Sequence, residues 1–259
     1  MDEPLSPPPD PPPDSSPPSE QSPAIPGNAA LDASKRIAHL RERLAEQGQL
    51  VVSLLEAALK AFYERDAADA AGVAAEDDRV DRVDVEIEKE SVSILFTAAS
   101  FGSELDHDQI RQILTIVKIN NELERIADVG TDIAELVGTL ADPATRFPET
   151  TRVMTNSVLG LARDAVGSYE DADPALARVV LQSEHVVLAF KAEILRQAEA
   201  RVTAGTMPVE SAFDLHELIL HCMLIADHCT NIAEQVIYER TGMIVRHMEG
   251  RWVERPAEE

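Results

Sequence analysis

Two phrases of this chain occur twice, in the same order and at nearly the same interval, and that repetition limits the fold more than any other feature. Tyr63-Glu64-Arg65-Asp66-Ala67 is echoed by Tyr169-Glu170-Asp171-Ala172, 106 residues on. Ile126-Ala127-Asp128, followed by Ile133-Ala134-Glu135, is echoed by Ile225-Ala226-Asp227, followed by Ile232-Ala233-Glu234, 99 residues on. Both echoes lie in stretches whose apolar residues recur at helical spacing. Leu44, Val51, Leu54, Leu55, Ala58 and Phe62 mark one such face, and Ile113, Val117, Leu123, Ile126, Ile133 and Val137 another. Six long helices are expected: about 30–66, 73–100, 106–140, 148–169, one opening at Asp173-Pro174, and one ending at Thr241-Gly242. Phe101-Gly102-Ser103, Asp142-Pro143 and the Gly205–Pro208 stretch separate them. The expected fold is all-α: two tandem antiparallel three-helix bundles, residues 29–142 and 143–245, with a C-terminal tail from 246 to 259.

The first 28 residues stand outside this pattern. They hold 11 of the 16 prolines and five acids, with no Lys or Arg, and cannot supply a core. A disordered tail is expected there, either a passive one or a Pro-rich ligand for another domain. The remaining chain is poor in aromatics (4% overall), which disfavours a sandwich or barrel.

Charge excludes further classes. Asp and Glu number 47 against 23 Lys and Arg, a formal net charge of −24. Phosphate backbones and anionic membranes repel such a surface, so no nucleic-acid partner is expected. No apolar run approaches the roughly 20 residues of a membrane helix, so no membrane insertion is expected either. The N-terminus lacks the basic start and apolar stretch of a signal peptide, and a cytoplasmic location follows as an expectation.

Acidic residues also fall into register. Asp77, Asp81, Asp84 and Glu88 step by four, three and four, and Glu124, Asp128 and Asp132 step by four, so each set occupies one helix face. In an antiparallel hairpin, residues equidistant from the turn lie level. Asp81 with Asp128, Asp77 with Asp132, and Asp84 with Glu124 all centre on the expected turn near residue 104. Level stripes can both point to water. If they converge, the carboxylates repel and call for a cation, and their oxygens suit Mg, Mn or Fe, with Zn as a further candidate.

No Gly-rich phosphate loop or Ser/His/Asp arrangement is present. A ferritin-like carboxylate-bridged enzyme would want Glu-x-x-His pairs on two helices. The sequence offers only Glu104-x-x-His107, at a turn, while His216 and His228 lack the glutamate. His221, Cys222, His228 and Cys229 are metal-capable types without a tight ligand pair, and buried packing is the simpler role for the cysteines. A non-catalytic protein is expected. A metal enzyme and a structural adaptor remain the alternatives.

The segment Glu122-Leu123-Glu124-Arg125-Ile126-Ala127-Asp128, followed by Ile133-Ala134-Glu135, resembles a hallmark of the PhoU family. Asp227-His228-Cys229-Thr230-Asn231-Ile232-Ala233-Glu234, with Ile237-Tyr238 and Thr241-Gly242, resembles its second copy. The resemblance covers roughly residues 35–245. It implies a six-helix fold, a homodimer, and a cytosolic regulator of phosphate uptake and the phosphate-starvation response. The implied partners are the phosphate transporter's ATPase subunit and a sensor histidine kinase. The family's Glu/Asp-x-x-x-Asp motifs bind metal clusters in some members. Carried over residue by residue, Asp77, Asp81, Glu124 and Asp128 match, and Asp132 fits the pattern. In the second half Met223 replaces the motif glutamate, and the 106-residue offset puts Ser183 and Val187 in place of Asp77 and Asp81. Metal is therefore expected in the first half alone.

Overall fold

The structure, a computed structural model, describes residues 26–101, 105–140, 145–248 and 251–256. Six helices make up nearly all of it: α1 (Pro26–Glu64), α2 (Ala67–Phe101), α3 (His107–Thr139), α4 (Glu149–Glu170), α5 (Pro174–Thr203) and α6 (Val209–Thr241). Most of the expected tail, residues 1–25, lies outside the described residues, as do 102–104 of the first turn and the Asp142-Pro143 break. Residues 26–28, read as the end of the tail, instead open α1. Proline is tolerated at a helix start because the N–H it lacks has no partner there.

Local chemistry sets the helix boundaries. The Asp66 carboxylate accepts from the Ala68 and Asp69 amides at 2.8 and 3.1 Å, so α2 starts at Ala67, six residues before the apolar pattern. Asp106 and Gln109 form a reciprocal capping box on α3. Asp173 caps α5, with Pro174 in its first turn. Gly242, at φ 70°, closes α6 in the left-handed conformation that glycine adopts freely.

Helices α1, α2 and α3 pack together, and so do α4, α5 and α6, giving the two expected bundles. The bundles join through α3 against α6 and α1 against α4, which leaves α2 and α5 on the outside. Close approach has a visible cause at Gly48 of α1. A Cβ there would stand 2.7 Å from Val166 Cγ1 of α4, so a larger residue would force the two helices apart. One buried core runs through both bundles, from Ile37, Leu44 and Leu55 through Ile126 and Ile133 to Leu218 and Ile232.

The outer helices show how the duplication has drifted. Val73, Val80 and Ile87 of α2 are buried, and so are Val180, Val187 and Ile194 of α5. The matching offset is 107 residues, not the 106 that relates Tyr63 to Tyr169. The cause is one extra residue between helices: two residues link α1 to α2, and three link α4 to α5. The counterparts of Asp77 and Asp81 are thus Glu184 and Leu188, which corrects the expected Ser183 and Val187.

The C-terminus also departs from expectation. In place of a tail from 246, strands β1 (Met243–Met248) and β2 (Arg251–Pro256) form an antiparallel hairpin. It is tied to α5: Trp252 Nε1 donates to the Leu181 carbonyl at 2.8 Å, and Arg178 forks onto Glu254. Among the described residues, no helix is long and apolar enough to cross a membrane.

Candidate functional site

The acidic faces of α2 and α3 meet along the first bundle. Asn120, buried on α3, anchors the register by donating through Nδ2 to Asp84 Oδ1 at 2.5 Å and to the Asp84 carbonyl at 3.1 Å. Beyond that clasp Asp77, Asp84 and Glu124 are half-buried, whereas Asp81, Asp128 and Asp132 are exposed. Their charges act on one another across the helices. Burial, then Asp81 and Asp128, push the Asp77 carboxyl up to about 6. Burial and then Asp128, Asp84 and Asp81 raise Glu124. Burial followed by Asp81 and Asp132 raises Asp128. Burial together with Glu88 and Asp81 raises Asp84. The stripes therefore share a seam instead of facing away from each other.

The seam favours a cation in its donor chemistry and in its field. Asp77 Oδ1 is buried, and the Thr131 hydroxyl beside it is the one group that draws its carboxyl down. A hard cation suits such oxygens. The carboxylates do not, however, converge on a common point. Among the described residues no three His, Cys, Asp or Glu side chains stand together closely enough to hold a metal ion. Binding one would require side-chain rotation, which the exposure of Asp81 and Asp128 permits.

Asp132 belongs to two neighbourhoods. It acts on Asp128, and it also lies 3.8 Å from Nδ1 of His221 on α6. It does not appear among the groups acting on Asp77, with which hairpin counting made it level; Asp128 takes that place.

A second polar seam, absent from the sequence reading, runs between α3 and α6. Glu122 Oε2 lies 2.8 Å from His228 Nδ1 and accepts from Asn231 Nδ2 at 3.1 Å. Further along, Glu234 accepts from Arg246 of β1 at 2.5 Å. The available signal was His228 and Asn231, polar and three apart on one face of α6. This seam also separates the four soft-ligand candidates. His228 and His221 turn toward α3, while Cys222 and Cys229 are buried in the core. Burial pushes the Cys222 thiol up to about 12, as expected of an inert packing residue.

In the second bundle the counterpart of the acidic seam has become apolar. Leu188, Met223 and Leu224 occupy the places of Asp81, Glu124 and Arg125, with Leu188 and Leu224 exposed. Of the equivalent acids only Glu184 and Asp227 remain.

Known proteins share this architecture. The chain is 30% identical over 168 residues to a phosphate-specific transport system accessory protein PhoU homolog from Thermotoga maritima, covering 64% of this chain and 70% of that one. A homolog from Zymomonas mobilis is 26% identical over 204 residues, covering 78% and 84%. The crystal structure of the phosphate transport system regulatory protein PhoU from Streptococcus pneumoniae superposes with a TM-score of 0.75 at 19% identity, covering 83% of this chain and all of that one. PhoU from Pseudomonas aeruginosa gives 0.73 at 24% identity, covering 80% and 97%. The PhoU domain model matches residues 44–137 and again 151–236, one copy on each bundle, so the chain belongs to the PhoU family.

Proposed function

We propose that this protein is a non-catalytic, cytoplasmic accessory regulator of phosphate transport. It acts as a homodimer by contact with the transporter's ATPase subunit and with a sensor histidine kinase. The observation that carries the reading is the double match of the PhoU domain, one per bundle, joined to relatives named as transport accessory proteins. The physical logic is selection among partners by shape and charge. A rigid helical body in a chain with a formal charge of −24 favours basic or apolar partner surfaces and repels others.

Within this reading the α2–α3 seam holds a divalent cation such as Mg, Mn, Fe or Zn, through Asp77, Asp81, Glu124 and Asp128, with Asp132 at its edge. The cation supplies positive charge that lets the seam stay ionised, offsetting the repulsion from Asp81 and Asp128 that raises Asp77. The test is a strain without the protein, grown in ample phosphate, with uptake and starvation-gene expression measured. Uncontrolled uptake or expression is expected, together with recovery of the transporter or kinase in pull-downs. Normal behaviour in both assays with no such partner would favour a structural adaptor.

A further inference from the structure

A concavity of about 530 Å³ opens where the end of α1, residues 145–148 and the start of α4 meet, away from both polar seams. Its volume falls in the range of small-molecule sites. In a chain with two acids for every base, its lining inverts the ratio: Arg65, Arg146 and Arg152 against the single carboxylate of Glu149. Most of the other arginines of this protein are neutralised by neighbouring acids, such as Arg36 by Glu90, Arg43 by Glu86 and Arg163 by Glu56. Among the described residues none of these three pairs with a carboxylate. Arg65 donates through Nη2 to the Thr145 carbonyl at 2.6 Å, while its Nη1 is buried and without a partner. Arg152 lies over the Tyr63 ring, 4.3 Å from its centroid.

Two further features converge on the same place. The N-terminus of α4, a 22-residue helix, points its positive end here; its cap, Pro148, has no side-chain oxygen, and Glu149 is the one acid in its first turn. Arg65 itself sits at φ 57°, a left-handed conformation that is strained for a non-glycine residue. Beside the charges stand flat rings: Phe147 is stacked on Phe62 with centroids 5.9 Å apart.

We propose that this concavity binds the phosphoryl group of a small phosphate-bearing ligand. Guanidinium forks match the oxygens of a tetrahedral dianion, and a helix N-terminus adds field of the same sign. The half-buried Phe147 ring gives a nucleotide something to stack on, whereas free phosphate would use the arginines alone. The site is independent of the carboxylate seam and of the regulatory reading, so either can fail without the other.

The test is calorimetric titration of the full chain, in EDTA, with orthophosphate, ATP, adenosine and citrate. At least one of the two phosphate compounds is expected to bind with Kd below about 1 mM. Adenosine and citrate should bind at least about tenfold more weakly than that compound. Equal affinity for orthophosphate and ATP identifies free phosphate as the ligand, and clear preference for ATP identifies a nucleotide. Arg146→Gln and Arg152→Gln, both at exposed positions, should each weaken binding about tenfold or more with Tm unchanged. Arg82→Gln, on α2, should have no effect. The proposal is overturned if neither phosphate compound binds with Kd below about 1 mM, if citrate binds equally well, or if the Arg146 and Arg152 variants bind like wild type.

Discussion

The Glu122 carboxylate of the first bundle sits 2.8 Å from Nδ1 of His228 in the second, and Asn231 closes on the same oxygen. Burial alone would raise Glu122. The bonds from His228 and Asn231 outweigh it and hold the carboxyl below the usual glutamate range. A group depressed on folding contributes stability above its unfolded value, about 4.3, and that contribution is lost as pH falls through the lowered folded value. Glu122→Gln should therefore destabilise the protein at pH 7 by about 1–2 kcal/mol. The gap to wild type should close in acid below the unfolded value. Urea titrations at pH 7 and pH 3.5 measure both, and a gap that does not depend on pH would contradict the assignment.

Arg41 of α1 and Glu239 of α6 form a second link between the bundles, with the guanidinium also stacked 4.7 Å over the Tyr169 ring. Glu239 is buried, and burial raises its carboxyl despite Arg41. Desolvation here exceeds the attraction that the arginine returns. Arg41→Met should cost about 3–5 kcal/mol by leaving the acid unpaired. Adding Glu239→Leu should recover most of that loss. A double variant no more stable than the single one would show that the cost lies in lost packing over Tyr169.

The carboxylate seam carries the opposite sign of linkage. Asp77 is raised from the ordinary aspartate value to about 6, so its repulsion is absent in acid and grows as pH rises through 6. Asp77→Asn should stabilise the metal-free protein at pH 7, by less than about 1 kcal/mol because solvent screens the site. Manganese should raise the Tm of wild type. Asp81→Asn combined with Asp128→Asn should abolish that rise and the bound metal, while Asp227→Asn should leave both intact. Equal loss from both sets would remove the asymmetry between the bundles.

Trp252, the single tryptophan, reports on the terminal hairpin because its indole is held by the Leu181 carbonyl. Leu181→Pro would disturb the helix, so Arg178→Ala is the gentler probe. Removing the Glu254 fork should red-shift Trp252 emission and cost at most about 1 kcal/mol. Unchanged emission would mean that the hairpin stays docked without the fork, through the indole, the buried Val245 and the Arg246–Glu234 pair.

The helices were legible because their apolar faces and caps are written locally: Asp106 with Gln109, Asp173 with Pro174, and Gly242. The seam between α2 and α3 was legible because a hairpin brings residues level by counting alone. The 106-residue repeat offset failed by one residue in the second half, where the α4–α5 link is longer, and so missed Glu184. Pairs such as Glu122 with His228 and Arg41 with Glu239 are set by how the two bundles dock. No turn fixes that docking, and it depends on close approach at positions such as Gly48. The arginine concavity escaped for a related reason. Its members come from the end of one helix, a connecting stretch and the start of another, and no periodicity joins them.

One property of α2 has a dynamic consequence. Its buried line is Val73, Val80, Ile87 and Ile94, seven residues apart each time, with Ser91 beside it. A helix whose fully buried apolar line recurs only every two turns, with Ala70 and Val83 partly buried beside it and only α1 and α3 against it, has a thin apolar attachment. The attachment also carries the mutual repulsion of the acids alongside it. Helix α2 is therefore the element whose amides should exchange with solvent by the lowest-energy opening, well before the central helices unfold. A cation bridging it to α3 would act as a latch on that opening, coupling ion occupancy to the mobility of an entire outer face.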